Sequence, residues 1–488
     1  MARLEMITPM MMMMMMSRRR GAVSSVAAVL LVLLALCSEL TGGNYYGTNH
    51  RHINDQCFCK LNGTIDDCSC TVDTVDYFNN VKIYPRLQSL LVRDYFRFYK
   101  VNLKRDCPFW ADDSKCAIRY CHIKPCEDKD IPVGLKGEFS RNNHADESPA
   151  EKYKLNLQVT DCDHKIRDHN IELGFLNTTI SSENYKGFQR WQKHDDAQDS
   201  FCIKETDAGE YVNLLLNPER YTGYRGSSAH RIWRSIYMEN CFRPENSPHN
   251  FIQTSKMNAM CLEKRVFYRV ISGLHTSINI HLSAKYLLSS NQLEISSEGQ
   301  WGPNLEEFQR RFSPETTGGE GPNWLKNLYF IYMLELRALA KAAPYLQREA
   351  YYTGNANEDK DTRLAVNDIL NVIQTFPEHF NESVMFNGGV EAQVLKEEFK
   401  SHFRNISRIM DCVGCDKCKL WGKLQVQGLG TALKILFLGK FEQYEPTLID
   451  FSKKQFFLDR SEIVSLVNAF GRLSESIFEL EEFRKMMR

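Results

Sequence analysis

The sequence predicts a mainly α-helical protein, and three stretches carry that reading. Met260–Leu288 is long and has no internal proline. Leu325–Ala343 is apolar nearly all round and is expected to stop at Pro344, the pattern of a helix buried in a core. The final helix is expected to open with the capping pair Asp459 and Glu462, and it sets Ile463, Leu466, Val467 and Phe470 on one face. From about residue 201 onward the chain reads mainly helical. It shows no strand–helix alternation and no G-x-G-x-x-G, which argues against a Rossmann dinucleotide site. No repeat of solenoid length is visible.

Size and charge bound the function. The 488 residues are 43% hydrophobic and 25% charged, a soluble globular balance. Lys plus Arg and Asp plus Glu are both 61, so there is no basic excess to neutralise a phosphate backbone, and nucleic acid is not an expected partner. At the N-terminus, Arg18, Arg19 and Arg20 precede an apolar run from Val26 to Leu36, then small and polar residues to Gly43. That order is a secretory signal peptide, with cleavage expected near residue 43, and the competing reading is an uncleaved anchor. The tract Met10–Met16 is low complexity and has no physical account.

Secretion places the cysteines where disulfides persist. Of 16 cysteines, Cys37 falls in the signal, which leaves an odd number and at least one unpaired thiol. Cys57, Cys59, Cys68 and Cys70 form a mirrored pattern around Asn62-Gly63, a hairpin turn signal. Nested bridges Cys57–Cys70 and Cys59–Cys68 would staple that hairpin, and a four-thiolate zinc knuckle is the alternative. "DCPFWADDSKCAIRYCHIKPC" sets Cys107, Cys116, Cys121 and Cys126 in a loop broken by Pro108 and Pro125. Residues 131 to about 200 read as polar and irregular, with Cys162 near the middle. Sequons at Asn62, Asn177, Asn381 and Asn405 suit lumenal exposure.

"DCVGCDKCKLWG" packs Cys412, Cys415 and Cys418 at a spacing of three. Three thiolates leave zinc one ligand short, and an iron–sulfur cluster also wants a fourth, so no metal is expected here. Cys415 and Cys418 form a C-x-x-C entering a helix, where the N-terminal dipole favours thiolate and Lys417 and Lys419 add charge. Ordinary structural bridges remain the competing reading. Cys116 and Cys121 would be a second, exchangeable pair. Two such pairs need an electron acceptor, and a flavin joins thiols to dioxygen where cysteine alone cannot. A flavin pocket would use aromatic and cationic groups: Arg220 and Thr222 in "NPERYTGYRG", Trp233 in "AHRIWRSIY", Ser272, His275 and Asn279 along one helix face, and Arg311. Each also has a bland reading, as core, satisfied histidine or surface charge.

"CPFWADDSKCAIRYC", "LLLNPERYTGY", "ISGLHTSINIHLSAKYLL" and "HFRNISRIMDCVGCDKCKLWGKLQVQGLGTALKILF", in that order, resemble the endoplasmic reticulum oxidoreductin family, from about Cys57 to the C-terminus. The resemblance implies a single-domain helical bundle around FAD, with a stapled N-terminal hairpin and long cysteine-bearing loops. It implies a thiol oxidase of the endoplasmic reticulum lumen that reoxidises protein disulfide isomerase and passes electrons to dioxygen, giving hydrogen peroxide. Cys116 and Cys121 become the shuttle pair, and Cys415 and Cys418 the inner pair beside the flavin. Cys107 bridges Cys412, and Cys241 bridges Cys261. Arg220, Thr222, Trp233, Ser272, His275 and Arg311 become the FAD contacts, whereas Trp324 stands where some members carry a further arginine. Cys126 and Cys162 become regulatory, pairing with Cys121 and Cys116 in an inactive form, and Cys202 is left over.

The expected organisation is then a signal over 1–43 and one oxidase domain over 44–488. Within it, 44–130 is a cysteine-rich arm with the shuttle loop, 131–200 a flexible regulatory loop and 201–488 the helical core. The chain ends "EEFRKMMR" without a Lys-Asp-Glu-Leu signal, so retention would need a partner or peripheral association with the lumenal membrane face. The runner-up from another class is a secreted disulfide-rich zinc-binding or interaction protein without turnover.

Overall fold

The computed structural model describes residues 71–107, 109, 121–136, 209–219, 226–239, 262–289, 300–376, 399, 402–437 and 458–488. The signal, residues 137–200 of the regulatory loop, Cys57, Cys59, Cys68, Cys70, Cys116, Cys162, Cys202, Cys241, Cys261, Arg220, Thr222, Asn62, Asn177 and Asn381 lie outside the described residues.

The described elements run in order as α1 (Val72–Tyr77), a π-helical stretch (Phe78–Ile83), α2 (Tyr84–Leu91), α3 (Asp94–Arg97), β1 (Phe98–Val101), β2 (Glu210–Asn213) and α4 (Gly226–Glu239). Next come α5 (Leu262–Ala284), β3 (Tyr286–Ser289), β4 (Gln300–Gly302), α6 (Leu305–Phe312), α7 (Pro314–Thr317) and α8 (Gly321–Leu346). The last are α9 (Ala356–Ile373), α10 (Asp416–Phe437) and α11 (Arg460–Met486). The fold is mainly helical, as expected. Its strands form two antiparallel pairs, β1 with β2 and β3 with β4.

The core is built from α5, α8, α10 and α11. Helix α8 packs on the other three, and α11 packs on α10 and α5. Two glycines set the closest approaches. A Cβ at Gly273 of α5 would lie 2.5 Å from the Asn327 carbonyl oxygen of α8, and one at Gly428 of α10 would overlap Ser465 and Ala469 of α11. Residues 72–101, grouped by sequence with the cysteine-rich arm, belong to this core: α2 and the π-helical stretch pack on α11, and Phe78, Leu87 and Phe96 are buried.

Three helices differ from their sequence readings. Helix α5 stops at Ala284, because Tyr286–Ser289 pairs as a strand with Gln300–Gly302. Helix α8 continues past Pro344 to Leu346. The missing proline N–H forfeits one bond in the last turn. Against that, Leu346 is buried and Tyr345 Oη exchanges hydrogen bonds with the Leu458 backbone at the entry to α11. Helix α11 has the expected capping box, with the Asp459 N–H donating to Glu462 Oε2 at 2.9 Å, but it is buried on more than one face.

Several of its polar residues find partners inside the core. Arg460 Nη2 donates to the Phe98 carbonyl at 2.6 Å, and Asn468 Nδ2 to the Phe96 carbonyl at 3.1 Å. Ser474 Oγ donates to Asn79 Oδ1 at 2.7 Å, and Arg472 pairs with Glu219. Arg460 and Asn468 thereby serve backbone carbonyls of α3 and β1.

Of the four expected glycan acceptors, Asn405 falls among the described residues. Asn405 lies in the helical residues 402–410 and is 3% exposed. Its neighbour Phe403 packs edge-on against Phe267 of α5, at 4.9 Å between ring centroids. Asn405 is therefore a buried asparagine in this fold.

The α10–α11 contact gives a direct test. Gly428→Ala forces a methyl into Ser465 and Ala469, and overpacking of this kind costs about 1–3 kcal/mol. The variant's thermal midpoint is expected to fall, and an unchanged midpoint would show that the two helices can move apart freely.

Candidate functional thiol and aromatic sites

The C-x-x-C sits where α10 begins. Asp416 is the first helical residue, so Cys415 takes the N-cap place and Cys418 the third position. The Cys418 N–H donates to Cys415 Sγ at 3.3 Å, and the Lys419 N–H closes the first helical bond on the Cys415 carbonyl at 2.8 Å. Sulfur therefore occupies the role that a serine or aspartate oxygen takes in an ordinary cap, next to the positive end of the helix. That place favours thiolate. Cys415 and Cys418 stand as thiols and are 1% and 0% exposed.

The surrounding charge is cationic. Lys417, Lys419 and Lys423 are all buried, and the Asp411 carboxylate forms an ion pair with Lys423 Nζ at 2.5 Å and accepts from Arg408 Nη1 at 2.7 Å. One carboxylate thus serves two cations just ahead of Cys412.

Cys107 and Cys412 form a disulfide with Cα atoms 4.5 Å apart, as the resemblance implied. It ties the arm to the residues preceding α10. At Cys121 the arm meets the same place: the Lys417 N–H donates to the Cys121 carbonyl at 3.0 Å. His122 Nδ1 lies 3.5 Å from the Asp416 carboxylate. Two of the N–H groups left open at the start of α10 are therefore taken by Cys415 Sγ and by the Cys121 backbone.

Cys121 is disulfide-bonded and Cys126 carries a thiol, so these two are not joined to each other in this structure. Burial pushes the Cys126 thiol above its ordinary value, and its N–H donates to the Tyr211 carbonyl at 2.9 Å.

Three aromatic rings meet between α4 and α5, where the sequence reading placed a flavin pocket. Trp233 and His275 stack with centroids 3.8 Å apart, and Tyr237 Oη lies 2.9 Å from His275 Nδ1. Ser272 Oγ accepts from Asn327 Nδ2 at 2.9 Å, and Asn327 Oδ1 accepts from Arg269 Nε at 3.0 Å. Farther along α5, Asn279 Oδ1 accepts from Arg311 Nη1 at 2.8 Å. Arg311 also pairs with Glu307 at 2.6 Å. Burial alone would raise the Glu307 carboxyl, but Arg310 and Arg311 outweigh it and hold it down to about 2. Trp233 Nε1 is a buried donor with no acceptor among the described residues. An indole N–H left open inside a wall of rings fits a planar, acceptor-rich ligand such as a flavin.

The structure therefore brings Trp233, Ser272 and His275 together, with Asn279 and Arg311 farther along the same helix. It separately gathers Cys107, Cys121, Cys412, Cys415 and Cys418. Trp324 lies on the first turn of α8, packed against the main core. Sequence reasoning missed Tyr237, although it stands four residues after Trp233 on one helix face. It also missed Asn217 and Trp421, for which no local pattern gives a signal.

A family description, Endoplasmic Reticulum Oxidoreductin 1 (ERO1), matches residues 82–480. The chain is 55% identical over 468 residues to the Ero1-like protein of Drosophila melanogaster, covering 93% of this chain and 96% of that one. It is 49% identical over 454 residues to ERO1-like protein alpha of Homo sapiens, covering 88% and 92%. Ero1p, solved as a source of disulfide bonds for oxidative protein folding in the cell, superposes with a TM-score of 0.54 at 30% identity, covering 85% of this chain and 98% of that one. A double cysteine mutant of S. cerevisiae Ero1p gives the same TM-score at 28% identity, with the same coverage. No described helix is long and apolar enough to cross a membrane. With the ordered motifs, the helical core and the buried C-x-x-C all in agreement, the chain belongs to the endoplasmic reticulum oxidoreductin family of thiol oxidoreductases that support oxidative protein folding.

Proposed function

We propose that this chain is an FAD-dependent thiol oxidase of the endoplasmic reticulum lumen that reoxidises protein disulfide isomerase. The observation that carries this reading is the 3.0 Å hydrogen bond from the Lys417 N–H to the Cys121 carbonyl, which seats the outer cysteine segment on the helix that bears the inner pair. A disulfide-rich binding protein without turnover has no use for a second dithiol held there.

In the first step a thiolate of the reduced isomerase attacks the Cys116–Cys121 disulfide. One S–S bond forms as one breaks, and the mixed disulfide resolves to an oxidised isomerase and a reduced shuttle pair. In the second step a shuttle thiolate attacks the Cys415–Cys418 disulfide, so two electrons and two protons pass inward. The capped position of Cys415 and the nearby lysines stabilise the thiolate released there. Arg220, Thr222, Trp233, Ser272, His275 and Arg311 are the residues that would hold FAD. Trp233 Nε1 is available to donate to it, and the stacked Trp233 and His275 give a stiff wall. When bound, FAD supplies the two-electron acceptor chemistry that links a dithiol to dioxygen, with hydrogen peroxide as product.

Cys126 and Cys162 are assigned a regulatory role. Each shuttle cysteine can make one disulfide, so Cys121–Cys126 and Cys116–Cys162 bridges would exclude the catalytic one. The state with Cys121 bonded and Cys126 a thiol is compatible with the active pairing.

Three tests follow this reading. Cys415→Ala or Cys418→Ala is expected to abolish oxygen uptake with thiol substrates and to leave the protein yellow, and near-normal turnover in either would remove the inner pair from the path. His275→Ala and Trp233→Ala are expected to lower flavin content, measured by absorbance per chain, since loss of a large buried aromatic takes about 3–5 kcal/mol of packing with it. Full flavin occupancy in both would displace the pocket. Replacing Cys126 and Cys162 together by Ala is expected to shorten the lag before oxygen uptake. Peptide mapping of the resting protein that found both as thiols, beside a Cys116–Cys121 bridge, would sink the switch.

A further inference from the structure

We infer that Asn217 is a positioning residue that fixes the shuttle segment on the inner-pair helix and so sets the rate of disulfide exchange between the two pairs. The inference rests on the shuttle and inner roles proposed above. The segment from Cys121 to Cys126 lies along β2: Pro125 bridges to Val212, and the Cys126 N–H donates to the Tyr211 carbonyl at 2.9 Å. In that register Asn213, the last residue of β2, stands opposite Lys124, but its carbonyl accepts from the Leu216 N–H at 3.1 Å as the chain turns, which leaves a gap in the ladder at the Lys124 N–H.

The Asn217 carboxamide fills that gap. Its Oδ1 accepts from the Lys124 N–H at 2.7 Å, and its Nδ2 donates to the Lys124 carbonyl at 2.9 Å. These are the two bonds a paired strand residue would make with its backbone. The second Nδ2 hydrogen goes to the Asn213 carbonyl at 3.0 Å. On the other side, the Asn217 carbonyl accepts from Trp421 Nε1 of α10 at 2.8 Å. Asn217 itself is 0% exposed, and its Nδ2 bond to the Asn213 carbonyl is buried.

Residues 121–124 are thus pinned to α10 at both ends, directly at Lys417 and through Asn217 at Trp421. Exchange between two disulfides requires the attacking sulfur to approach along the S–S axis. A displacement of about 1 Å can cost a reaction of this kind about a hundredfold. Lys124 itself is exposed, so removing the carboxamide hands its N–H and carbonyl to water, which favours the segment's moving away from α10. The internal step is balanced: shuttle dithiol and inner disulfide become shuttle disulfide and inner dithiol, with no other reactant. Attack on the shuttle disulfide by an external thiolate does not depend on how the segment sits on α10.

The experiment uses the full flavin-bound chain, fully oxidised and mixed with one equivalent of reduced protein disulfide isomerase. Samples are quenched in acid, alkylated and mapped, so that reduction of the shuttle and inner pairs is followed separately. In Asn217→Ala the shuttle pair is expected to be reduced within about twofold of the parent rate, while the inner pair slows by about tenfold or more. Flavin content stays unchanged. Trp421→Phe, which keeps the ring and deletes only the N–H donor, shows the same split to a smaller degree. Equal inner-pair rates in Asn217→Ala and the parent overturn the inference. If Asn217→Ala loses flavin or does not accumulate, Trp421→Phe decides alone, and an unchanged inner rate there overturns it. A Cys121→Ala control separates the two readings: normal reduction of the inner pair in that variant refutes the shuttle role itself, whatever the Asn217 result.

Discussion

Two parts of the chain 305 residues apart meet at one bond, Cys107–Cys412, and the arrangement of the thiols depends on that closure. Bringing such distant segments together costs loop entropy that grows slowly with length, so a covalent tie over a long span restrains the unfolded chain effectively. Its local effect matters more for function. The tie holds the base of the arm beside residues 411–418, and the arm's far side can then present the Cys121 carbonyl to the open end of α10. A helix start has N–H groups that need acceptors, and here they are met by a cysteine sulfur and by the backbone of the incoming cysteine segment. The capping problem and the juxtaposition of the two thiol sites have one solution.

The inner pair is buried almost completely, and burial by itself would disfavour a thiolate. The surroundings oppose that penalty. Lys417, Lys419 and Lys423 are buried on the first turns of the same helix, and Asp411 is engaged by Arg408 and Lys423. A desolvated anion among cations at a helix N-terminus is held in a narrow range of positions, which suits exchange that must occur within the protein and not with arbitrary solutes.

The same economy of polar groups shapes the scaffold. Helix α11 passes through the core carrying Arg460, Asn468, Arg472 and Ser474, and each meets a backbone carbonyl or a buried side chain from a distant segment. Arg472 holds Glu219, the last described residue before the expected flavin contacts Arg220 and Thr222. The stretch from Asn213 to Glu219 therefore touches the shuttle segment, the inner-pair helix and α11. Removing one member of such a buried ion pair costs more than the pair contributes, so these contacts specify geometry more than they add stability.

The sequence by itself determined the helical class, the capping box at Asp459, the burial of α8 and the C-x-x-C at a helix start. These are local patterns, in which residues a turn apart reveal their own environment. It also placed Ser272, His275 and Asn279 on one face, and the structure sets their partners around that face. Tertiary structure decided the rest. Pro344 stays inside α8 because Tyr345 and Leu346 are held by distant neighbours, and α11 is buried all round because its polar residues bond to segments hundreds of positions away. Asn405 satisfies the sequon rule yet lies in the core, since a triplet carries no information about burial. Asn217 had no legible signal, because its importance lies in filling a gap in the ladder at the Lys124 N–H and in meeting Trp421. That gap exists only after the strand, the arm and the helix have come together, and no periodicity of a single segment encodes it.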